Sequence, residues 1–121
     1  ASTGFLPVVA SLGMADDGTL LNVNADAAAS ALAAALLARR LVFLTDVPGL
    51  LDAGGALVSR LTPSLAEELI ETGVVTGGMQ PKLRASIDAL HNGVAEIVIA
   101  GPEHHHEALS AGKGGTHLVA A

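Results

Sequence analysis

Leu41-Val42-Phe43-Leu44-Thr45-Asp46 is an unbroken apolar run that closes on two polar residues. A strand wetted on one face alternates apolar and polar side chains. A continuous run marks a strand covered on both faces, as in parallel sheets with helices above and below. Ala95-Glu96-Ile97-Val98-Ile99-Ala100 repeats the pattern, with Gly101-Pro102 as its exit. In such sheets ligands settle beyond the carboxyl ends of the strands. Thr45, Asp46, Val47, Pro48 and Gly49 lie there after the first run. The alternative is an ordinary strand-to-loop turn, which Asp, Pro and Gly make in any case.

The flanking segments fit an α/β domain. Phe5-Leu6-Pro7-Val8-Val9-Ala10 reads as a strand, with proline near its beginning. Ala15-Asp16-Asp17-Gly18 is a turn, and Thr19-Leu20-Leu21-Asn22-Val23 returns as the second strand of a hairpin. Asn24 can cap a helix that runs to about Ala38 and is nearly all alanine and leucine, which reads as buried against a sheet. Asp26 sits in its first turn, where the helix dipole favours a carboxylate. Stabilising the helix end is its plainest use.

After a turn at Asp52-Ala53-Gly54-Gly55, a short strand is expected near Leu57-Val58-Ser59. Thr62-Pro63 opens a helix that turns Glu67 and Glu68 to water and stops at Gly73. A short helix from Glu103 to Ala111, a glycine-rich loop and a last strand, Thr116-His117-Leu118-Val119, complete the chain. Together these predict a three-layer αβα sandwich with a mainly parallel sheet and an N-terminal β-hairpin.

Between the two apolar runs stands Thr76-Gly77-Gly78-Met79-Gln80-Pro81-Lys82-Leu83. Two glycines precede a helix whose first turn contains Pro81, where a missing N–H costs little. Met79, Leu83, Ile87 and Leu90 form an apolar stripe, and Asn92-Gly93 ends it. Lys82 lies off the stripe, within a turn of the helix start. Free N–H groups and the dipole already favour anions there. Lys82 is therefore a candidate phosphate-facing lysine; the other reading is a surface lysine on a capped helix.

Composition narrows the classes of function. The chain has 121 residues, enough for one domain, and 15% are charged, against about 25% in an average domain. So little of it is built for water that some apolar surface is expected to meet a partner or a missing domain. A net charge of −6 argues against binding a nucleic-acid backbone. Cysteine is absent, which excludes disulfides and thiolate metal sites. The longest apolar run, from Ala27 to Ala38, is too short to span a bilayer. The first residues show no basic signal-peptide region. A strand so soon after a start without methionine suggests a chain cut from something longer.

Other signals fail. Gly112-Lys113-Gly114 does not fit a Walker loop, because Glu107 stands where the first glycine belongs. No Gly-x-Gly-x-x-Gly follows a strand. His104-His105-His106 lies between two glutamates on a segment expected to be exposed, and adjacent helical residues do not share a face. It reads as a solvated face, and no metal site is expected.

Three stretches acquire specificity from their order and spacing: Leu21-Asn22-Val23-Asn24-Ala25-Asp26 before an alanine-rich helix, Leu44-Thr45-Asp46-Val47-Pro48-Gly49-Leu50-Leu51 after a buried strand, and Gly77-Gly78-Met79-Gln80-Pro81-Lys82-Leu83 at a helix start. Together they resemble the C-terminal half of the acetylglutamate kinases, within the amino acid kinase family, over nearly the whole chain. The resemblance implies that residues 1–121 form a C-terminal ATP-binding domain. It further implies phosphorylation of the side-chain carboxylate of N-acetyl-L-glutamate by ATP with Mg2+, in arginine biosynthesis.

By the same resemblance, Lys82 stabilises the transferring phosphate and Asp26 orients the lysines around it. Asn22, with Asn24 close by, binds the amino-acid substrate. Thr45, Asp46, Val47, Pro48, Gly49, Leu50, Leu51, Val74, Val75, Thr76 and Met79 line the nucleotide site. A cytoplasmic homo-oligomer is implied for the complete protein. The family's N-terminal half, with its own lysine, glycine-rich loop and substrate-binding arginine, has no counterpart in these residues. The alternatives are a kinase for another acidic amino acid, such as carrier-linked aminoadipate, and a non-catalytic nucleotide-binding module.

Overall fold

Ile97, Val98, Ile99 and Ala100 are all fully buried, and the domain is assembled around the strand they form. The structure, a computed structural model, describes residues 4–120. In chain order the elements are β1 (Leu12–Met14), β2 (Leu20–Asn22), α1 (Ala25–Ala35), β3 (Arg40–Leu44), β4 (Arg60–Leu61), α2 (Pro63–Glu71), α3 (Met79–His91), β5 (Glu96–Ala100), a 3-10 turn (Pro102–His104), α4 (His105–Ala111) and β6 (Thr116–Val119). The four-stranded sheet has the order β3-β5-β6-β4. Strands β3 and β5 are parallel, as are β4 and β6, while β5 and β6 are antiparallel. The expected α/β class with a mainly parallel sheet and a separate N-terminal hairpin therefore holds.

The period-2 alternation of β5 divides the core. Ile97 and Ile99 join Phe43, Leu61, Leu83, Ile87 and Leu118 in the larger cluster. Val98 and Ala100 meet Ala108 of α4 and Val42 on the other face. These two apolar layers account for the three-layer arrangement.

Several expectations about individual elements need correction. Residues 5–10 form no strand. The first strand of the hairpin is Leu12–Met14, paired antiparallel with Leu20–Asn22. The short strand expected near Leu57 lies instead at Arg60–Leu61. Leu57 and Val58 are used locally: Leu57 bridges Leu51, and the Val58 N–H donates to the Leu50 carbonyl. The Asp52 carboxylate closes the turn between them, accepting from the N–H groups of Gly54 and Ala56 at 2.9 Å each.

Helix α1 ends at Ala35, because Leu37 takes a φ of 53° and the Ala38 N–H closes back on the Ala33 carbonyl. Only Ser30 and Ala33 of α1 are buried, so it is a half-covered helix and not a core helix. Strand β3 stands at a sheet edge with Phe43 as its one buried residue; β5 is the strand covered on both faces. Among the described residues, no helix is long and apolar enough to cross a membrane.

At the end of the sheet where β3 and β5 begin, Glu96 ties three strands together. Its carboxylate accepts from Arg40 Nε at 2.8 Å and lies 2.9 Å from His117 Nδ1. The hydrogen bond from Arg40 holds the Glu96 pKa below its ordinary value of 4.5, with His117 adding to the effect and partial burial opposing it. A carboxyl group whose folded-state pKa is depressed stabilises the fold above its unfolded value, and that contribution is lost as pH falls through the folded value. Glu96→Gln should therefore lower the melting temperature by roughly 2–6 °C at neutral pH, a modest effect because the group is partly exposed. The gap from the unsubstituted chain should narrow as pH falls below the ordinary value of 4.5 and on through the lower folded-state value. Thermal unfolding followed by circular dichroism between pH 3 and 7 checks this, and a gap independent of pH would contradict it.

Candidate functional site

The site is built where β3 runs out and α3 begins. The Thr45 N–H still bonds to the Ala100 carbonyl at 3.0 Å, and the chain then leaves the sheet. A cleft of about 570 Å³ opens there, lined by Leu44, Thr45, Asp46 and Val47 on one side and by Thr76, Gly78, Met79 and Lys82 on the other. A second recess of about 320 Å³ shares Val47, Thr76 and Met79 with it and adds Gly49, Leu50, Leu51, Val74 and Val75. The first has Thr45, Asp46, Thr76 and Lys82 in its lining; in the second, Thr76 is the one residue with a polar side chain. One ligand with an anionic end and a flat apolar end would suit the pair.

The start of α3 gives the polar cleft its sign. Helices α1 and α2 are capped by side chains: Asn24 accepts from the Ala27 N–H, and Thr62 from that of Leu65. Helix α3 has Gly78 at that position and no side-chain cap. Of its first-turn N–H groups, that of Gln80 donates to the Gly77 carbonyl at 3.2 Å and Pro81 has none, so among the described residues the Met79 N–H is the one left for water or a ligand. The Gln80 side chain reaches back to the Val75 carbonyl at 3.3 Å and closes the loop that leads in.

Lys82 supplies the full charge. Its Nζ donates to Asp26 Oδ1 at 2.6 Å and lies 5.1 Å from the centroid of the Phe43 ring. The two side chains are only 16% and 18% exposed. Asp26 fixes the ammonium from the first turn of α1, and the face of the buried Phe43 ring attracts it from the sheet side. The lysine reaches the cleft edge with few alternative positions.

Loop 45–51 owes its path to Thr116. The Leu50 N–H donates to Thr116 Oγ1 at 2.9 Å in a fully buried bond. Gly49 has a φ of 153°, and a Cβ there would fall 2.7 Å from the same hydroxyl. Gly101 lies equally close under the loop: a Cβ would come within 2.5 Å of the Val47 carbonyl oxygen. Only glycine permits these approaches.

The residues singled out from the sequence thus fall in three places. Lys82, Thr45, Asp46, Val47, Gly49, Leu50, Leu51, Val74, Val75, Thr76 and Met79 line the two adjoining recesses, and Asp26 touches them through Lys82. Pro48 is exposed on the loop between. Asn22 ends β2 opposite Leu12, and Asn24 caps α1; neither lines these recesses, though Asn24 stands two residues from Asp26. Sequence reasoning missed Phe43, which reads as plain core, and Thr116, whose partner lies 66 residues away. The histidine run is only partly a solvated face: His106 is exposed, but His105 is half-buried with Nε2 3.2 Å from the Thr45 carbonyl oxygen. Among the described residues, no three His, Asp or Glu side chains cluster as metal ligands.

The sequence signature of the amino acid kinase family matches residues 1–101. An acetylglutamate kinase of Methanopyrus kandleri is 53% identical over 103 residues, covering 83% of this chain and 42% of that protein. An acetylglutamate kinase of Caulobacter sp. is 45% identical over 109 residues, covering 90% of this chain and 36% of that protein. The chain thus spans well under half the length of these relatives. The crystal structure of smu.665 from Streptococcus mutans superposes with a TM-score of 0.82 at 34% identity, over 95% of this chain and 43% of that one.

The buried bond under the loop can be tested without any ligand. Thr116→Val keeps the shape and removes the acceptor, leaving the Leu50 N–H unpaired. It should destabilise the domain by about 1–3 kcal/mol, whereas Thr116→Ser should lose less. Urea unfolding of both variants measures the difference, and equal losses would show that the hydroxyl is not what matters.

Proposed function

Because this chain belongs to the amino acid kinase family, we propose that it forms the C-terminal nucleotide-binding part of a kinase that transfers the terminal phosphoryl group of ATP to the side-chain carboxylate of N-acetyl-L-glutamate. That reaction yields an acyl phosphate and serves arginine biosynthesis. The observation that carries the proposal is the polar cleft between loop 45–51 and the uncapped start of α3, with Lys82 fixed at its edge by Asp26. The relatives named acetylglutamate kinase supply the choice of acceptor.

Each residue's task is read from the chemistry together with the resemblance to the acetylglutamate kinases. Phosphoryl transfer to a carboxylate brings two anions together, and the protein contributes mostly positioning and charge stabilisation. The more apolar recess takes the adenine and the polar cleft takes the phosphates, which meet Lys82 and the Met79 N–H at the start of α3. Lys82 stabilises charge on the phosphoryl group in transit, and Asp26 keeps its ammonium in place. Asn22 and Asn24, at the hairpin end of α1, hold the amino-acid substrate. Magnesium bound with ATP would supply positive charge against the phosphates. Asp46 is the one carboxylate lining the larger cleft, and a single such donor suits an ion that keeps most of its waters and rides on the phosphates.

Two measurements test the reading. In the complete enzyme, Lys82→Ala should lower turnover on the order of a hundredfold or more, by analogy with a lost oxyanion donor. Its effect on acetylglutamate binding should be far smaller, because the charge matters most in the transition state. Asp26→Asn should fold and lose turnover in the same way. Unchanged turnover in the Lys82 variant would remove its role. The 121-residue chain by itself should bind ATP weakly and form no acyl phosphate, since aligning donor and acceptor accounts for roughly 7–11 kcal/mol of such barriers. Turnover near that of a complete relative, followed as acyl phosphate with ATP, magnesium and acetylglutamate, would overturn the division of labour.

A further inference from the structure

The parallel ladder between β3 and β5 ends in a chemical gap. In register Leu44 pairs with Ala100, so Thr45 stands opposite Gly101. The Thr45 N–H bonds to the Ala100 carbonyl, as a parallel ladder requires. The same pattern would give the Thr45 carbonyl oxygen the N–H of residue 102. Residue 102 is proline and has none. The 3-10 turn Pro102–His104 instead brings α4 back over the strand end, and His105 Nε2 comes within 3.2 Å of the Thr45 oxygen. A side chain stands where the backbone donor is missing.

We propose that His105 is a positioning residue for the nucleotide: its Nε2–H replaces the absent ladder donor and holds Thr45, and so the start of loop 45–51, in the shape that forms the cleft. The proposal rests on reading that cleft as the nucleotide site. Thr45, Asp46 and Val47 all line it, so rotation of the Thr45 peptide would move the Asp46 and Val47 side chains out of place. The rest of the loop is held separately, by Thr116 at Leu50 and by close packing of Val47 and Pro48 on Gly101. Its first carbonyl has His105 as the partner found. Residues 102–111 lie outside the span that the family signature matches, 1–101.

The test compares His105→Phe, which keeps a ring and loses the donor, with His105→Gln, whose amide N–H reaches a similar position. His105→Ala serves as a second donor-free variant should the phenylalanine fail to fold. Amide hydrogen exchange across residues 45–51 and MgATP titration by NMR are measured on the 121-residue chain. Faster exchange at Asp46 and Val47 is expected without the donor, returning towards the original rate in His105→Gln. MgATP affinity should fall roughly 2- to 13-fold without the donor, the equivalent of one net hydrogen bond, and recover with glutamine. In the complete enzyme KM for ATP should rise while KM for acetylglutamate stays put, a split that general destabilisation would not produce. Unchanged exchange in the donor-free variants, or glutamine behaving as they do, overturns the proposal. Absence of any MgATP response in the unsubstituted chain would instead overturn the nucleotide reading, and the exchange rates would still decide whether His105 holds the loop.

Discussion

The contact between Lys82 and Asp26 joins the first turns of two helices from different parts of the chain, 56 residues apart. Both groups are largely withdrawn from water, which costs desolvation energy that an apolar pair would not incur. Such a pair is weak evidence for stability, and helices α1 and α3 could meet through apolar side chains alone. What the pair does supply is a lysine ammonium held in one place at the mouth of a cleft. The alanine-rich inner face of α1 serves the same end: small side chains let α1 approach α3 closely enough for a carboxylate as short as that of aspartate to reach the lysine.

The other half of the site depends on backbone geometry. Loop 45–51 carries no regular structure and still follows a defined path, because its polar groups are paired outside it. Thr45 is tied to Ala100 and His105, and Leu50 to both Thr116 and Val58. Apart from the local bond to Val58, these anchors come more than fifty positions later in the chain, on or just beyond the central strand and its antiparallel neighbour. A cleft floor made this way is tied directly to the sheet beneath it, and only glycine at positions 49 and 101 lets the layers come so close.

This division explains what was legible in the sequence. Features set by local chemistry were readable: the caps Asn24 and Thr62, the start of α3, the glycine stop at Gly93, and the apolar run of β5. The cleft-lining loop was also readable, from strand end and turn residues. Features set by neighbours far along the chain were not. The apolar run of β3 looks like that of β5, but sheet order alone makes one an edge and the other the centre. Residues 5–10 have strand composition and no strand to pair with among the described residues. His105 looked like one of three solvated histidines because its partner, a carbonyl left vacant by Pro102, exists only once the two strands lie in register. The pattern Gly101-Pro102 followed by His105 was the available signal, and it has meaning only with that register known.

Charge around the cleft sets the limit on what these residues can do by themselves. Lys82 is the one cationic side chain that lines it. Arg40 is committed to Glu96 at the opposite end of β3, and Arg60 and Arg84 are outside the lining. The chain as a whole carries a net charge of −6. A triphosphate facing a carboxylate acceptor presents several negative charges within a few ångströms, and one ammonium with a helix start cannot balance them. The proposed transfer would therefore draw on cations besides Lys82, the magnesium that accompanies ATP among them. Phe5, Leu6, Val8, Leu12, Met14 and Leu20, on and before the hairpin, also leave their large apolar side chains exposed, which fits the low charge fraction of the chain.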